Sequence, residues 1–266
     1  LMAFQNYSPS KGITGSSWVG LKWFRTFFNM PRFWQIVKNT LTISLYSLIA
    51  GFPIPVILAL MINSVRNTRF QKVTQTITYM PHFISVVILV GMLTTFLSPR
   101  SGFLSHILTF FGASEEAFYM GDAKAFPHLY VWSGIWQDMG WSSIIYLAAL
   151  AGVDQSLHEA AMIDGCSPLQ VFFKILIPIL KPTIISTAIL ELMWVWNDYL
   201  LPTLVLDIKK YKTIPMAIQY FRGSYGHVQM GPMMASIMID IIPIIVVYLV
   251  CQKYIIEGVV AGAVKG

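Results

Sequence analysis

The sequence predicts an all-α protein that crosses a membrane several times, and three observations carry that prediction. The 266 residues are 56% apolar and only 11% charged, with a mean hydropathy of +0.64, well outside the usual range of soluble domains. Uncharged runs from 39 to 65 and from 73 to 99 each exceed the roughly 20 residues that a helix needs to cross about 30 Å of hydrocarbon. Nothing in the chain has the alternating pattern, about ten residues per strand, of a membrane β-barrel.

In chain order, residues 1 to 33 form a polar, Gly- and Ser-containing connection with Trp18, Trp23 and several Phe, a composition suited to the membrane interface. The abrupt opening Leu1-Met2-Ala3-Phe4-Gln5-Asn6-Tyr7 reads like the exit of an earlier span, so a missing N-terminal span is expected. The first visible span is predicted over 34–63, kinked at Pro53 and Pro55 because proline removes an intrahelical hydrogen bond. A short basic loop, SVRNTRFQK, follows it. The second span is predicted over 73–97, interrupted at Pro81 beside His82. The third covers 127–153, where Gly134, Gly140, Ser142, Ser143, Ala148 and Ala149 allow close helix packing in lipid. The fourth and fifth are predicted over 179–206 and 230–256, and all five belong to one transmembrane domain, 1–266.

Between the third and fourth spans lies the polar loop 154–178, and its local chemistry predicts helix, turn, helix. Ser156 and Glu159 have the spacing of a capping box. Gly165 is the residue type that ends a helix in the left-handed conformation, and Ser167-Pro168-Leu169-Gln170 supplies a second N-cap, a proline at the first helical position and a second box. The first helix presents Ala160 and Ala161, small enough for a partner to approach its backbone. The second is apolar, with Phe172, Phe173, Ile175 and Leu176. An interfacial amphipathic hairpin without a partner has the same spacing.

Glu159-Ala160-Ala161, Gly165 six residues after the glutamate, then Ile175 and Pro178 resemble the EAA loop of binding-protein-dependent ABC importer permeases, with Ile177 where that family usually has Leu. The resemblance covers nearly the whole chain. Stretches such as WVGLKWF, TITYMPHFISVVILVGM and SGIWQDMGWSSIIYLAALAGVD look like permeases of polysaccharide and oligosaccharide importers, whereas the Trp194 to Tyr199 run and the ending QKYIIEGVVAGAVKG look like the second, maltose-type permease. It implies a type I ABC importer permease fold, multi-pass in the bacterial cytoplasmic membrane, whose cytoplasmic loop docks on the ATPase through Glu159, Ala160, Ala161, Asp164, Gly165, Ile175 and Pro178. It also implies a second permease subunit and an extracytoplasmic solute-binding protein as partners, and a sugar or oligosaccharide as cargo, driven by ATP hydrolysis in separate subunits. The tail from Gly258 to Gly266 is expected to reach those ATPase subunits as well. Orientation rests on this resemblance, because the loops on the two sides carry similar densities of Lys and Arg.

Other classes are disfavoured by what the residues do not form. The chain has no GxxxxGK[ST] or other phosphate-cradling loop, so it is not expected to hydrolyse ATP or to be an enzyme. Its five His are dispersed and its two Cys, Cys166 and Cys251, are far apart, so neither a metal site nor a disulfide framework nor a bound cofactor is expected. The net charge of +6 comes from scattered cations rather than a dense patch, which fits anionic lipid and not nucleic acid. Ionisable residues within spans, Asp138, Glu191, Asp198 and Asp240, are either functional or paired across the bundle. Trp194, Trp196, Asn197, Asp198 and Tyr199 put aromatic faces beside hydrogen-bonding groups, as a sugar pathway requires. The alternatives are a secondary transporter whose acids are ion sites, an ABC permease for a solute other than a sugar, and a structural or signalling membrane protein, which leaves the EAA loop unexplained.

Overall fold

The computed structural model describes every residue except 31, 113, 115, 116, 153–164, 206–211, 222–228 and 264–266, and for 168, 169, 172, 182, 220 and 254–263 it describes the backbone alone. The described chain is helical apart from one two-residue antiparallel pair, β1 (Gln5–Asn6) with β2 (Ser17–Trp18). It divides into two compact units, one made of Leu1–Leu45, Val86–Tyr130 and Met193–Tyr248, the other of Tyr46–Ser85, Val131–Leu192 and Leu249–Gly266.

In the first unit the interface segment is more structured than its composition predicts. Between β1 and β2 sits the single helical turn α1 (Gly12–Gly15), and α2 (Lys22–Phe28) follows. Trp23 Nε1 donates to the Gln5 carbonyl at 2.9 Å, which ties α2 to β1. Phe27 buries its ring against Phe33 and Phe221. The helix α3 (Phe33–Gly51) then leads into the second unit. Further members of the first unit are α6 (Val86–Phe96), α7 (Phe103–Phe110), and the late helices α11 (Leu200–Val205) and α12 (Ile214–Tyr220). Its core gathers Ile36, Trp196, Ile214, Ala217 and Ile218, with Met233 and Ile237 of the long helix α13 (Met230–Ala263) packed against them. Thr40 Oγ1 accepts from the Ile214 amide at 2.9 Å, giving the first amide of α12 a buried partner.

The second unit holds α4 (Pro53–Ser64), α5 (Thr68–Tyr79), most of α8 (Phe126–Ala151), the short α9 (Pro168–Val171) and most of α10 (Ile177–Asn197). Its core is Val56, Ala59, Tyr146, Leu150 and Leu180, with Phe52, Leu176, Ile177 and Ile184 around them. The Tyr146 hydroxyl lies 2.6 Å from that of Thr187, pairing α8 with α10 and giving the buried Tyr146 hydroxyl a partner.

Phe33–Ser64 and Met230–Lys253 are each long and apolar enough to cross a membrane unbroken. In the first, the predicted proline kink is only a one-residue interruption between α3 and α4: Phe52, just before Pro53, keeps helical φ −65° and ψ −45° and donates its amide to the Leu48 carbonyl at 3.2 Å. The predicted second span is not a kinked rod. Thr68–Phe83 and Val86–Phe96 meet at 97°, with the 3-10 turn Met80–Phe83 at the corner, because Pro81 removes a donor and disfavours the helical conformation of the residue before it. The predicted fourth span ends earlier, at Asn197, and restarts as α11; Phe173–Lys181 and Thr183–Asn197 meet at 56°. The 26-residue α8, about 39 Å long at 1.5 Å per residue, is long enough for the third span and carries a more polar sequence. The fifth is longer than predicted, since α13 continues to Ala263 with Pro243 inside it.

Candidate functional site

Of the loop residues singled out from sequence, Glu159, Ala160, Ala161 and Asp164 lie outside the described residues, whereas Gly165, Ile175 and Pro178 lie within them. Gly165 has φ +79°, the left-handed conformation expected of a helix-ending glycine. The second capping box is formed in both directions, with the Gln170 amide donating to Ser167 Oγ at 3.3 Å and the Ser167 amide donating to Gln170 Oε1 at 2.8 Å. It starts α9, which passes through a π-helical turn at Phe172–Leu176 into α10. One face of this stretch is anchored, through Leu176, Ile177 and Leu180, against α4 and α8. The other carries Phe173, Lys174 and Pro178 at the surface. The arm beyond the corner is therefore fixed to two long helices by apolar packing, with Lys174 and Pro178 exposed on its other side.

The second set of predicted residues separates into two kinds. Trp196 is 7% exposed, and its indole Nε1 donates to Asp240 Oδ1 at 2.9 Å and to the Asp240 carbonyl at 3.2 Å. Asp198 Oδ1 accepts from the Leu200 and Leu201 amides at 3.0 and 3.4 Å, and Oδ2 accepts from the Tyr130 hydroxyl at 2.7 Å. Asp198 thereby caps α11 and holds it to the start of α8. Asn197 Nδ2 donates to the Met193 carbonyl of its own helix. Trp194, 79% exposed, and Tyr199, 37% exposed, present ring surface outward. A WNDY run looks alike whichever faces point outward, so sequence alone does not separate the two kinds.

A third group was only partly legible. His82, at the corner of the 97° bend, presents Nδ1 to Asp138 Oδ1 at 2.7 Å, and its ring stacks on Trp141 with centroids 4.5 Å apart and planes 4° from parallel. Next to Asp138 on α8, Gln137 Nε2 donates to the Ile84 carbonyl at 2.6 Å, satisfying an acceptor that the bend frees. Gly140 lies against the backbone of Thr78, where an added Cβ would come within 3.0 Å of Thr78 Cβ and closer still to the Thr78 carbonyl. Four consecutive contacts thus clamp the corner to α8. Trp141 and Asp138 remain partly exposed, offering an aromatic edge and a carboxylate side by side. Asp138 was a sequence candidate; His82, Gln137 and Trp141 were not, since their meeting depends on a bend that brings together residues more than fifty positions apart. Glu191, the remaining intramembrane acid, lies beside Gly51, where a Cβ would come within 2.8 Å of its Oε1. Among the described residues no group of three or more His, Cys, Asp or Glu could hold a metal ion.

Comparison with known proteins agrees with this architecture. The polygalacturonan/rhamnogalacturonan transport system permease protein YteP of Bacillus subtilis is 41% identical over 192 residues, 72% of this chain and 60% of that protein, so the chain matches less than two thirds of that relative's length. The probable starch degradation products transport system permease protein AmyC of Thermoanaerobacterium thermosulfurigenes is 43% identical over 121 residues, 46% of this chain and 44% of that one. The trehalose/maltose transport system permease protein MalG of Thermococcus litoralis is 35% identical over 122 residues, 46% of this chain and 44% of that one, so relatives of both expected kinds are found. The crystal structure of a bacterial ABC transporter involved in the import of the acidic polysaccharide alginate contains a chain that superimposes with a TM-score of 0.80 at 32% identity, covering 95% of this chain and 86% of that one. Residues 51–260, well over half of the chain, match the family described as binding-protein-dependent transport system inner membrane component, and the protein belongs to that family.

Proposed function

We propose that the chain is a membrane-spanning permease subunit of an ABC importer and carries a sugar or oligosaccharide inward, coupled to ATP hydrolysis by separate subunits. The observation that carries this reading is the arm after Gly165, capped at Ser167 and packed through Leu176, Ile177 and Leu180 against α4 and α8. Force applied to the loop by an ATPase passes into two long helices through this packed contact, because interiors packed at crystal-like density transmit displacement. In this reading Glu159, Ala160, Ala161, Asp164 and Gly165 meet the ATPase, with Ile175 and Pro178 in the arm behind them. The chain itself does no covalent chemistry. A second permease subunit completes the pathway, and an extracytoplasmic binding protein delivers the cargo.

The names of the relatives support a carbohydrate, and so does the half-open Trp141, His82 and Asp138 cluster, whose aromatic and carboxylate groups suit a polyhydroxylated ring. In the run 194–199, Trp194, Asn197 and Tyr199 are the residues open to a ligand, while Trp196 and Asp198 hold the wall that presents them.

The test is transport-coupled ATP hydrolysis by the reconstituted complex. Gly165→Pro forces φ from +79° to about −65°, and combined with Glu159→Lys it is expected to abolish substrate-stimulated hydrolysis. Undiminished stimulation would refute the coupling role. Uptake that survives ATP depletion while the membrane potential is kept would instead indicate an ion-driven carrier.

A further inference from the structure

We infer that the groove along α2, built around Lys22 and Arg25, binds the headgroup of an anionic phospholipid. The groove has a volume of about 770 Å³ and is lined by Val19, Leu21, Lys22, Arg25, Thr26 and Asn29. Lys22 and Arg25 are three positions apart on one helix, so they share a face at roughly 5–6 Å between Cβ atoms. Both are exposed, and neither meets a carboxylate among the described residues. The local sequence offers none: residues 1 to 38 contain five Lys and Arg and no Asp or Glu, and the first acidic residue of the chain is Glu115. Lys22 Nζ lies over the Trp23 ring, 4.8 Å from its centroid, so within the chain its charge meets an aromatic face and no acid, which leaves the pair open to an external anion.

The walls of the groove specify which anion. Val19 and Leu21 give it an apolar side, and Trp18, Phe28 and Trp34 expose large rings close by in sequence. Aromatic rings next to cations, immediately before an apolar span beginning at Phe33, are the arrangement found where headgroups meet hydrocarbon. An amphiphile satisfies both walls, with its phosphate on the Arg25 fork and the Lys22 ammonium and its glycerol and upper acyl chain along Leu21 and Val19. A carboxylated sugar chain would satisfy the cations and leave the apolar wall in water. The groove is also held in shape, since Trp23 is tied to Gln5, Gly231 leaves room for that indole, and Phe27 is buried beneath.

The test uses the full chain in nanodiscs of phosphatidylcholine and phosphatidylglycerol, with retained lipid read by native mass spectrometry. Phosphatidylglycerol is expected to be retained over phosphatidylcholine, and K22E/R25E to weaken that retention by at least about fivefold per cation, roughly thirtyfold or more for the pair. K22R/R25K is expected to restore it, and K22Q/R25Q, which adds no new charge, to reproduce the loss if the reversed pair does not fold. K11E/K124E changes net charge by the same amount away from the groove and is expected to have a much smaller effect. Equal loss in the two charge-reversed pairs would reduce the site to diffuse attraction and overturn the proposal. So would equal retention of the two lipids, or binding of trigalacturonate that K22E/R25E abolishes while lipid retention stays unchanged.

Discussion

Replacing Gly140 by alanine tests the clamp between α8 and the corner of the 97° bend. A Cβ at this position would lie 3.0 Å from Thr78 Cβ and closer to the Thr78 carbonyl, whereas carbon atoms pack comfortably at about 3.5–4.0 Å. The obstacle is backbone, so it cannot swing aside, and α8 must withdraw from α5 by about 1 Å. That movement stretches the Gln137 to Ile84 and His82 to Asp138 contacts, now 2.6 and 2.7 Å, because both partners on α8 lie within one turn of Gly140. Alanine gains about 1 kcal/mol in helix propensity, and overpacking costs about 1–3 kcal/mol, to which a weakened hydrogen bond adds about 1 kcal/mol. The expected net loss is about 1–3 kcal/mol in unfolding free energy. Gly134→Ala is the internal control, since nothing lies within 4 Å of its Cβ, and Gly51→Ala is a graded one, because the obstructing Glu191 Oε1 is the end of a flexible side chain. Unfolding of each variant in mixed micelles, followed by tryptophan fluorescence, gives the order. If Gly140→Ala is as stable as Gly134→Ala, the close approach of α8 to Thr78, and the clamp built on it, is wrong.

Two further substitutions separate wall from ligand contact in the WNDY run. Asp198→Ala removes the cap of α11 and the acceptor of the Tyr130 hydroxyl, so stability should fall by about 1–3 kcal/mol; a transport defect without destabilisation would instead place the carboxylate on the cargo. Trp196→Phe leaves Asp240, 7% exposed, without its indole donor and should cost about 1–3 kcal/mol. Combining it with Asp240→Asn in a double-mutant cycle should then show strong non-additivity, and additive losses would show that the pair is not coupled.

Much of the second half of the loop was legible because its signals are local. Ser167, Pro168 and Gln170 form a cap through bonds that span three residues, and Gly165 turns left-handed for want of a Cβ. The resemblance to sugar permeases was equally legible, being carried by residue order. Asp138, Asp198 and Asp240 could be marked as costly in lipid, but their partners could not be named, since His82, Tyr130 and Trp196 lie 56, 68 and 44 positions away.

By itself, then, the order of residues determined an all-α membrane chain, a capped helix after a glycine corner, a proline interruption at Phe52 and a break at Pro81, because composition, caps and missing N–H groups act within one or two helical turns. Only the tertiary structure decided that the break at Pro81 opens to 97° instead of a gentle kink. It also decided that Trp196 faces Asp240 while Trp194 faces outward, and that Lys22 and Arg25 line a groove with an apolar wall. The reason is the same each time: a broken helix can bend through many angles and an aromatic run can turn either face inward, and the choice is made by which distant surface is there to pack against.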